Sequence, residues 1–459
     1  MQTWKPDLAA LAGPKYLAIA QALARDIAAG TLSAGDRLPP QRVLAETLGV
    51  DLTTVTRAYG EAQRVGLIEG EGRRGSFVKD KRQAPSPSGV DHDDPGMNAP
   101  PLVVGGSLAD AFRKTAGALL ASDGGAALQY QQSGGMPPVR EAGANLLRRR
   151  GVAAHEDSVL VAAGGQHALH AIFSVELKAG DRLVVSGFVY PGLLSLARRY
   201  GVSLLAVHAD AEGIDPDALD AACAAEDVRA VYLVPTNDNP TTATIGLDRR
   251  KAIAAVAQRR GLMVIEDDAY GLLPESPLPP IAAFAPEMTW HISSVSKILS
   301  PGLRVAWLRA PDIAKAWRLA ADMHETAIMA PPLNAAVVAS WAGDDTFARL
   351  VGEVRAEARV RQALVGKCLP DDSFRAHADG YHLWVPLPRD VDAAPIAQAL
   401  RPHGISAIPG DAFAVDRAAA GPALRVSIGG MLARDRLERG LNLLGALIGP
   451  GAPRKISLV

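Results

Sequence analysis

The densest cluster of reactive residue types is Ser293-Ser294-Val295-Ser296-Lys297-Ile298-Leu299-Ser300-Pro301-Gly302-Leu303-Arg304, which follows a short strand-like run, Thr289–Ile292. A lysine in a serine-rich loop is, alone, an ordinary solvated cation. Here hydroxyls at Ser294 and Ser296 stand beside the Lys297 amine, and Arg304 follows seven residues on. Such a set can hold a phosphate monoester next to an amine able to condense with a carbonyl. An aromatic cofactor carrying both groups needs more. A ring nitrogen needs a carboxylate to stay protonated and draw off electrons, and Asp267, in VIEDDAY at the end of another strand-like run, supplies one. Tyr270 and Asn239 offer polar groups to a ring hydroxyl, and Tyr190, in FVYPG, offers an aromatic face. Gly164-Gly165-Gln166, after LVAA, offers backbone N–H groups at a helix start for a phosphate.

Each piece has an ordinary reading: loop carboxylates, an Asn-Pro turn, core packing for Tyr190, a tight turn for the glycines. Their order argues otherwise, because all fall at strand ends, where open α/β sheets bind ligands. The elements that must position them alternate along the chain. Strand-like runs Val159–Val161, Arg182–Ser186, Ser203–Val207, Ala230–Val234, Met263–Glu266, Thr289–Ile292 and Ala306–Arg309 are interleaved with helical patterns such as Gln166–Leu177 and Arg249–Arg260. That alternation predicts an α/β layer with a mostly parallel sheet and flanking helices. The last hundred or so residues mix long helices with Tyr381–Pro386 and Leu424–Ile428, which predicts a smaller α+β lobe.

At 459 residues the chain is long enough for more than one folding unit. Hydrophobic content of 48% with 21% charge is that of a globular protein. There is no apolar run of bilayer length and no signal-peptide pattern at the N-terminus, so the expected compartment is the cytoplasm, with no membrane partner. The two cysteines, Cys223 and Cys368, form no CxxC pair or His-rich cluster, so neither a disulfide framework nor a metal site is expected.

The clearest boundary is Gln83–Pro101, with five prolines and almost nothing apolar. It cannot bury enough surface to order itself and reads as a flexible tether. The expected division is therefore 1–82, a linker at 83–101, and 102–459. In the first segment, Lys15–Ala29 places Leu17, Ala20, Leu23 and Ile27 on one face. Pro40–Leu48 predicts a second helix, Asp51 an N-cap, and Thr54–Val65 a third helix with Val55, Ala58, Ala62 and Val65 inward. Two short strand-like runs, Gly66–Glu69 and Ser76–Lys79, flank a glycine-rich turn.

Net charge is −1, so any attraction to nucleic acid must come from a local surface. From Arg37 to Arg82 there are nine Lys/Arg against six Asp/Glu, only mildly basic. The third helix offers Thr53, Thr54, Thr56 and Arg57 at its start, and Arg37, Arg42, Arg73, Arg74 and Lys79 are cations able to meet phosphates. Alone, a threonine-rich helix start is as well explained by capping. However, RLPPQRVLAETLGVDLTTVTRAYGEAQRVGLIEGEGRRGSFV resembles the GntR-type winged helix-turn-helix, with its L-P-S-x-R-x-L-A, T-V-x-R-A, G-L-I and G-x-G-x-F-V pattern. The resemblance implies double-stranded DNA as partner and contacts from Arg42, Thr53, Thr54, Thr56, Arg57, Arg73 and Gly75. Pro40 stands where that pattern has serine, and Leu52 where a polar residue is common.

The second segment resembles the fold-type I aminotransferases of class I/II, whose patterns G-x-Q, N-P-T, D-x-x-Y and S-x-S-K-x-x-x-x-G-x-R appear in order from roughly Gly106 onward. The resemblance implies pyridoxal 5′-phosphate (PLP), with Lys297 as Schiff-base lysine and Asp267 on the ring nitrogen. It puts Asn239 and Tyr270 on the ring oxygen and stacks Tyr190 on the ring. Gly164, Gly165, Gln166, Ser294, Ser296 and Arg304 take the phosphate. It implies that Arg425, in ALRVSIG, clamps a substrate or effector carboxylate, and that Tyr130 reaches the phosphate site of a partner subunit in a homodimer, domain-swapped in some arrangements. One departure is Phe188, where the family has proline two residues before the stacking tyrosine.

Winged helix, tether and aminotransferase-like domain together resemble the MocR subfamily of GntR regulators. That implies a transcription regulator sensing an amine, an amino acid or a PLP-related molecule, with weak transamination half-reactions in reserve. A working aminotransferase carrying a DNA module, or a degenerate domain serving only for dimerisation, are the competing readings.

Overall fold

A computed structural model describes residues 4–6, 14–28, 31–33, 35–64, 67–70, 75–78, 96–123 and 125–449. They form two compact units divided between Asp93 and Asp94.

The first unit holds helices α1 (Lys15–Ala28), α2 (Gln41–Leu48) and α3 (Leu52–Arg64) and strands β1 (Ile68–Gly70) and β2 (Ser76–Val78). Helix α2 starts directly after Pro40, whose φ of −53° suits a helix entry. It stops at Gly49, which takes φ +60° and turns its N–H back to the carbonyls of Ala45 and Glu46. Asp51 caps α3, accepting from the Thr53 N–H at 2.8 Å. Strands β1 and β2 pair antiparallel with Ile68 opposite Val78, forming a wing. Ile19, Leu23, Leu44, Val55, Ala58 and Ala62 make the core, and buried Tyr59 donates its hydroxyl to the Pro39 carbonyl at 2.9 Å. The inward face of α1 includes the expected Ala20 and Leu23 and widens to Ala18, Ile19 and Ala22, whereas Leu17 and Ile27 are half-buried at its margins. Alanine-rich helices carry a weak stripe, so packing against α3 sets its margins. Val65, expected inward, lies outside the described residues.

In the second unit, strands β3 (Val159–Ala162), β4 (Arg182–Val185) and β5 (Ser203–Ala206) are followed by a small hairpin, β6 (Ala209–Asp210) and β7 (Gly213–Ile214), then by β8 (Val228–Leu233), β9 (Met263–Asp267), β10 (Thr289–Ser294) and β11 (Ala306–Arg309). Seven of these form one sheet in the order β3-β11-β10-β9-β8-β4-β5. Within it β10-β9, β9-β8, β8-β4 and β4-β5 are parallel, and only β11 runs against its neighbours. The expected runs are all strands, displaced by at most two residues at their ends. Helices α4 (Leu108–Asp123), α5 (Pro137–Arg148), α6 (Gly165–Glu176) and α7 (Pro191–Tyr200) come from the first part of this unit. A continuous apolar core includes the fully buried Trp290, Trp307 and Trp341. The C-terminal lobe carries a second, antiparallel sheet of β12 (Arg375–Ala376), β13 (His382–Pro386), β14 (Ser406–Pro409) and β15 (Ala423–Ser427), ordered β12-β13-β15-β14.

One expectation needs correction. The composition extends the tether to residue 101, but residues 96–101 are part of the second unit. Asn98 is 2% exposed there, the Gly430 N–H donates to the Ala99 carbonyl at 3.0 Å, and the Leu102 N–H donates to the Gly430 carbonyl at 2.9 Å. Proline and polar residues argue for disorder, yet a segment with few apolar side chains is ordered when its backbone and amide groups find fixed partners. No described helix is long and apolar enough to cross a membrane.

Candidate functional site

Strand β9 delivers Asp267 at its last residue, and β10 runs parallel beside it, with Ile292 opposite Asp267. The chain leaves β10 through a short turn, Val295–Lys297, capped by the Ser294 hydroxyl, which accepts from the Ser296 N–H at 3.3 Å. That turn sets the Lys297 amine near Asp267. Burial lowers the Lys297 pKa to about 8, and the nearby Arg425 and Arg304 cations lower it too, while Asp267 opposes the shift. A sizeable fraction of the amine is therefore neutral and nucleophilic near pH 8. Asp267 moves the other way, pushed up to about 6 by burial, although the Tyr232 hydroxyl donates to its Oδ2 at 3.0 Å.

Behind Asp267 lies a set of buried charges that fixes the strand ends. Glu266 accepts from the N–H groups of Ile281 (2.6 Å) and Ala282 (3.0 Å) and meets His291 Nδ1 at 3.0 Å. Asp268 pairs with Arg150; burial pushes its carboxyl up, but Arg150, His291 and Arg250 together hold it below the usual range. Asp268 thus has an ion pair at one oxygen, whereas Asp267 forms none among the described residues, so its burial calls for a further cation.

The anion end is built by α6. Gly164 precedes it at φ +89°, and a Cβ there would lie 2.8 Å from Arg304 Nη2, so only glycine lets the guanidinium reach the helix start. Arg304 is held in place by donating to the Ala163 carbonyl at 2.6 Å. Gly165 and Ser294 are adjacent: a Cβ on Gly165 would stand 3.6 Å from Ser294 Cβ. Tyr190 caps α7, and a Cβ on Gly192 would strike the Tyr190 ring and come 2.5 Å from Gln166 Oε1. The Tyr190 pKa is raised by burial and by Asp267, while Arg304 opposes the shift, so the hydroxyl feels both charges.

Ser296 Oγ, Asn239 Oδ1 and Gln166 Oε1 are buried without a hydrogen-bond partner among the described residues. Orphaned buried polar atoms, a buried carboxylate with no ion pair among the described residues, and a glycine-relieved helix start with an arginine across it fit a phosphorylated pyridine aldehyde. Of the expected residues, Gly164, Gly165, Gln166, Tyr190, Asp267, Ser294, Lys297 and Arg304 are thus neighbours, and Tyr270 is engaged with Asn98. Its hydroxyl accepts from Asn98 Nδ2 at 2.9 Å, and burial raises its pKa to about 12. Tyr130 is 81% exposed, outside this cluster.

Arg425 comes from β15, 1% exposed, with its guanidinium carbon 5.5 Å from the Phe413 ring centroid. Phe188 packs edge-on against Trp384 at 4.9 Å, so the ring that replaces proline leans on the smaller lobe. Four residues escaped the sequence reading: Asn98, Tyr232, Gly192 and His382. His382 is fully buried, its pKa lowered to about 3 by burial; its Nε2 lies 3.0 Å from the Asp238 carbonyl and its Nδ1 3.1 Å from Asn98 Nδ2. A neutral ring that donates at Nε2 and accepts at Nδ1 satisfies both contacts. Only its place in the strand-like run Ala230–Val234 hinted at Tyr232; nothing local marked the others.

On the winged helix, Arg37, Arg42, Thr53, Thr56 and Arg57 are exposed and Thr54 is half-buried. Several are engaged within the unit. The Thr53 hydroxyl donates to Asp51 (2.6 Å), the Thr56 hydroxyl donates to Gln41 (2.8 Å), and the Arg57 guanidinium lies 4.3 Å from the Tyr16 ring centroid. Gly75 takes φ +113°, and a Cβ there would approach Arg37 Nε to 3.3 Å, so wing and arginine pack closely. Leu52, at the start of α3, is 38% exposed. Arg73, Arg74 and Lys79 lie outside the described residues. Among the described residues no cluster of potential metal ligands occurs.

Residues 97–442 match the family "Aminotransferase class I and II", and residues 15–78 match "Bacterial regulatory proteins, gntR family". The chain is 30% identical over 434 residues to the HTH-type transcriptional regulator YdcR of Escherichia coli, covering 87% of this chain and 92% of that one. It is 29% identical over 452 residues to the HTH-type transcriptional regulator YdeF of Bacillus subtilis, covering 97% of each. Among solved structures, LysN, the α-aminoadipate aminotransferase of Thermus thermophilus complexed with N-(5′-phosphopyridoxyl)-L-leucine, superposes with a TM-score of 0.68 at 28% identity, over 77% of this chain and 90% of that one. The chain thus belongs to the GntR-family helix-turn-helix regulators fused to a PLP-dependent class I/II aminotransferase domain, the arrangement of the MocR subfamily.

Proposed function

We propose that this regulator senses a small amine or amino acid at the PLP site of its second unit, and that occupancy there changes how its winged helix meets promoter DNA. One observation carries the reading: Lys297, its pKa lowered to about 8, is buried with the Asp267 carboxylate and the Arg425 guanidinium as charged neighbours. PLP supplies an aldehyde that condenses with amines and a ring that takes up electrons. Lys297 provides the competing amine, Asp267 keeps a proton on the ring nitrogen, and Arg304, Ser296 and the start of α6 hold the phosphate. Arg425 orients a carboxylate, for which a planar guanidinium is better suited than an ammonium. Arg37, Arg42, Thr53, Thr54, Thr56, Arg57, Arg73, Arg74 and Gly75 form the DNA face. We further propose a cytoplasmic homodimer in which exposed Tyr130 serves the partner's phosphate site, so that two DNA modules act together. The divisions 1–82, 83–95 and 96–459 follow, with residues 83–95 as tether.

A second reading, a working aminotransferase, draws on the complete set of catalytic side chains and on the likeness to LysN. The two separate on one preparation. The regulator retards its own upstream DNA, with an affinity that depends on the ligand, and shows at most slow half-reactions. Fast multiple turnover of an amino acid with a 2-oxo acid, without DNA binding under any ligand condition, overturns the proposal.

A further inference from the structure

The carboxylate-binding arginine of the pocket is already bonded to its own chain. Arg425 Nη2 donates to the main-chain carbonyl of Gly96 at 2.5 Å, and Lys297 Nζ donates to the carbonyl of Asn98, also at 2.5 Å. Gly96 takes φ +70°, a left-handed turn that aims its carbonyl at the guanidinium. Two residues on, the Asn98 side chain is fully used: Nδ2 donates to the Tyr270 hydroxyl (2.9 Å) and meets His382 Nδ1 (3.1 Å), while Oδ1 accepts from the Ser427 hydroxyl at 2.7 Å. Between these anchors Met97 is 52% exposed, so no buried apolar side chain separates the pin at Asn98 from the contact at Gly96. The residues immediately before Gly96 lead along the chain toward the winged helix.

We propose that Gly96 is a built-in occupant of the carboxylate subsite at Arg425, that an effector carrying both an amine and a carboxylate displaces it, and that Asn98 is the pin about which the freed segment moves. A carboxylate meets a guanidinium with two charge-assisted bonds, where a peptide carbonyl offers one neutral acceptor. The exchange therefore favours an amino acid. An amine lacking a carboxylate engages the cofactor but leaves Gly96 on Arg425. The effector class is thereby narrowed from amines in general to amino carboxylates, and occupancy of the pocket is converted into slack at the point where the tether joins the domain. This rests on the proposed sensing function for its biological meaning, not for its geometry.

The test is hydrogen exchange of the peptide covering residues 96–104 in full-length, PLP-loaded protein, with cofactor absorbance read in parallel. Probes are L-leucine and L-lysine, each against its decarboxylation product, 3-methylbutylamine or 1,5-diaminopentane. The expected result is exchange about tenfold faster with an amino acid that shifts the absorbance, and unchanged exchange with its amine. Arg425→Met should loosen the same peptide without ligand, as should Ser427→Ala, which removes a bond to the pin. Equal exchange with an absorbance-shifting amino acid and with buffer overturns the inference while leaving sensing intact. If no probe shifts the absorbance, the variants decide: an unchanged peptide in both Arg425→Met and Ser427→Ala overturns it, and a loosened one upholds it. A loosened strap with no change in DNA affinity counts against the proposed function alone.

Discussion

The two polar surfaces of this chain are built on opposite principles. On the winged helix, the side chains proposed to meet DNA are short-range neighbours with partners inside their own unit, as when Asp51 takes Thr53 and Gln41 takes Thr56. In the pocket, the functional groups come from far apart in the chain, are buried, and leave Ser296, Asn239 and Gln166 with unsatisfied atoms. The first surface, as proposed, gains by meeting phosphate outside in water. The second holds polar groups out of water, at a cost, in positions only a bound molecule can satisfy. A reader of DNA needs shape and exposed charge; a receptor for a cofactor needs preorganised, desolvated groups.

The sharpest way to break that comparison is Lys297→Ala. Covalent capture of PLP, read by mass spectrometry after borohydride reduction, should be lost completely, while ligand-free DNA binding stays within a few fold of wild type. A pocket mutation that also abolished DNA binding would show that the surfaces are not separable. Next in size, Leu23→Ala removes a fully buried side chain from the winged-helix core. It should lower the stability of that unit by about 2–5 kcal/mol, seen as a separate early thermal transition, with cofactor absorbance unaffected up to that temperature. Arg42→Ala should weaken DNA binding several fold on any sequence and reduce the slope of log K against log salt by about 1; an unchanged slope removes Arg42 from the interface.

Titration gives smaller but directional effects. Attachment of PLP to apoprotein should speed up as pH rises through about 8, because neutral Lys297 is the attacking form, and affinity should weaken as pH falls through about 6, because Asp267 takes up a proton. Tyr232→Phe removes a bond that lowers the Asp267 pKa, so the acid limb of that profile should move to higher pH. A limb that stays in place means the hydroxyl does not tune the carboxylate.

Legibility in the sequence follows the same division. The parallel sheet was readable because strands buried on both faces are unbroken apolar runs, and Asp267, Lys297 and Arg304 were readable because each sits at a strand end within a recognisable pattern. Asn98 was not: it lies among prolines and glycine, and its partners Tyr270, His382 and Ser427 are 172, 284 and 329 residues away. Composition alone assigned it to a tether. Gly192 was equally silent, since its role is to make room for the Tyr190 ring, a constraint visible only in space. The width of the α1 face was less legible for a different reason, because alanines on several faces leave its margins to packing.

Regulation by this chain, as proposed, depends on coupling between pocket and promoter. The most direct measurement is the affinity of full-length, PLP-loaded protein for its own upstream DNA, by fluorescence anisotropy, titrated with amino acids that shift the cofactor absorbance. The expected result is a change in Kd of roughly fivefold or more, of either sign, that disappears in Lys297→Ala. Absorbance shifts that saturate while the DNA Kd stays constant would contradict it.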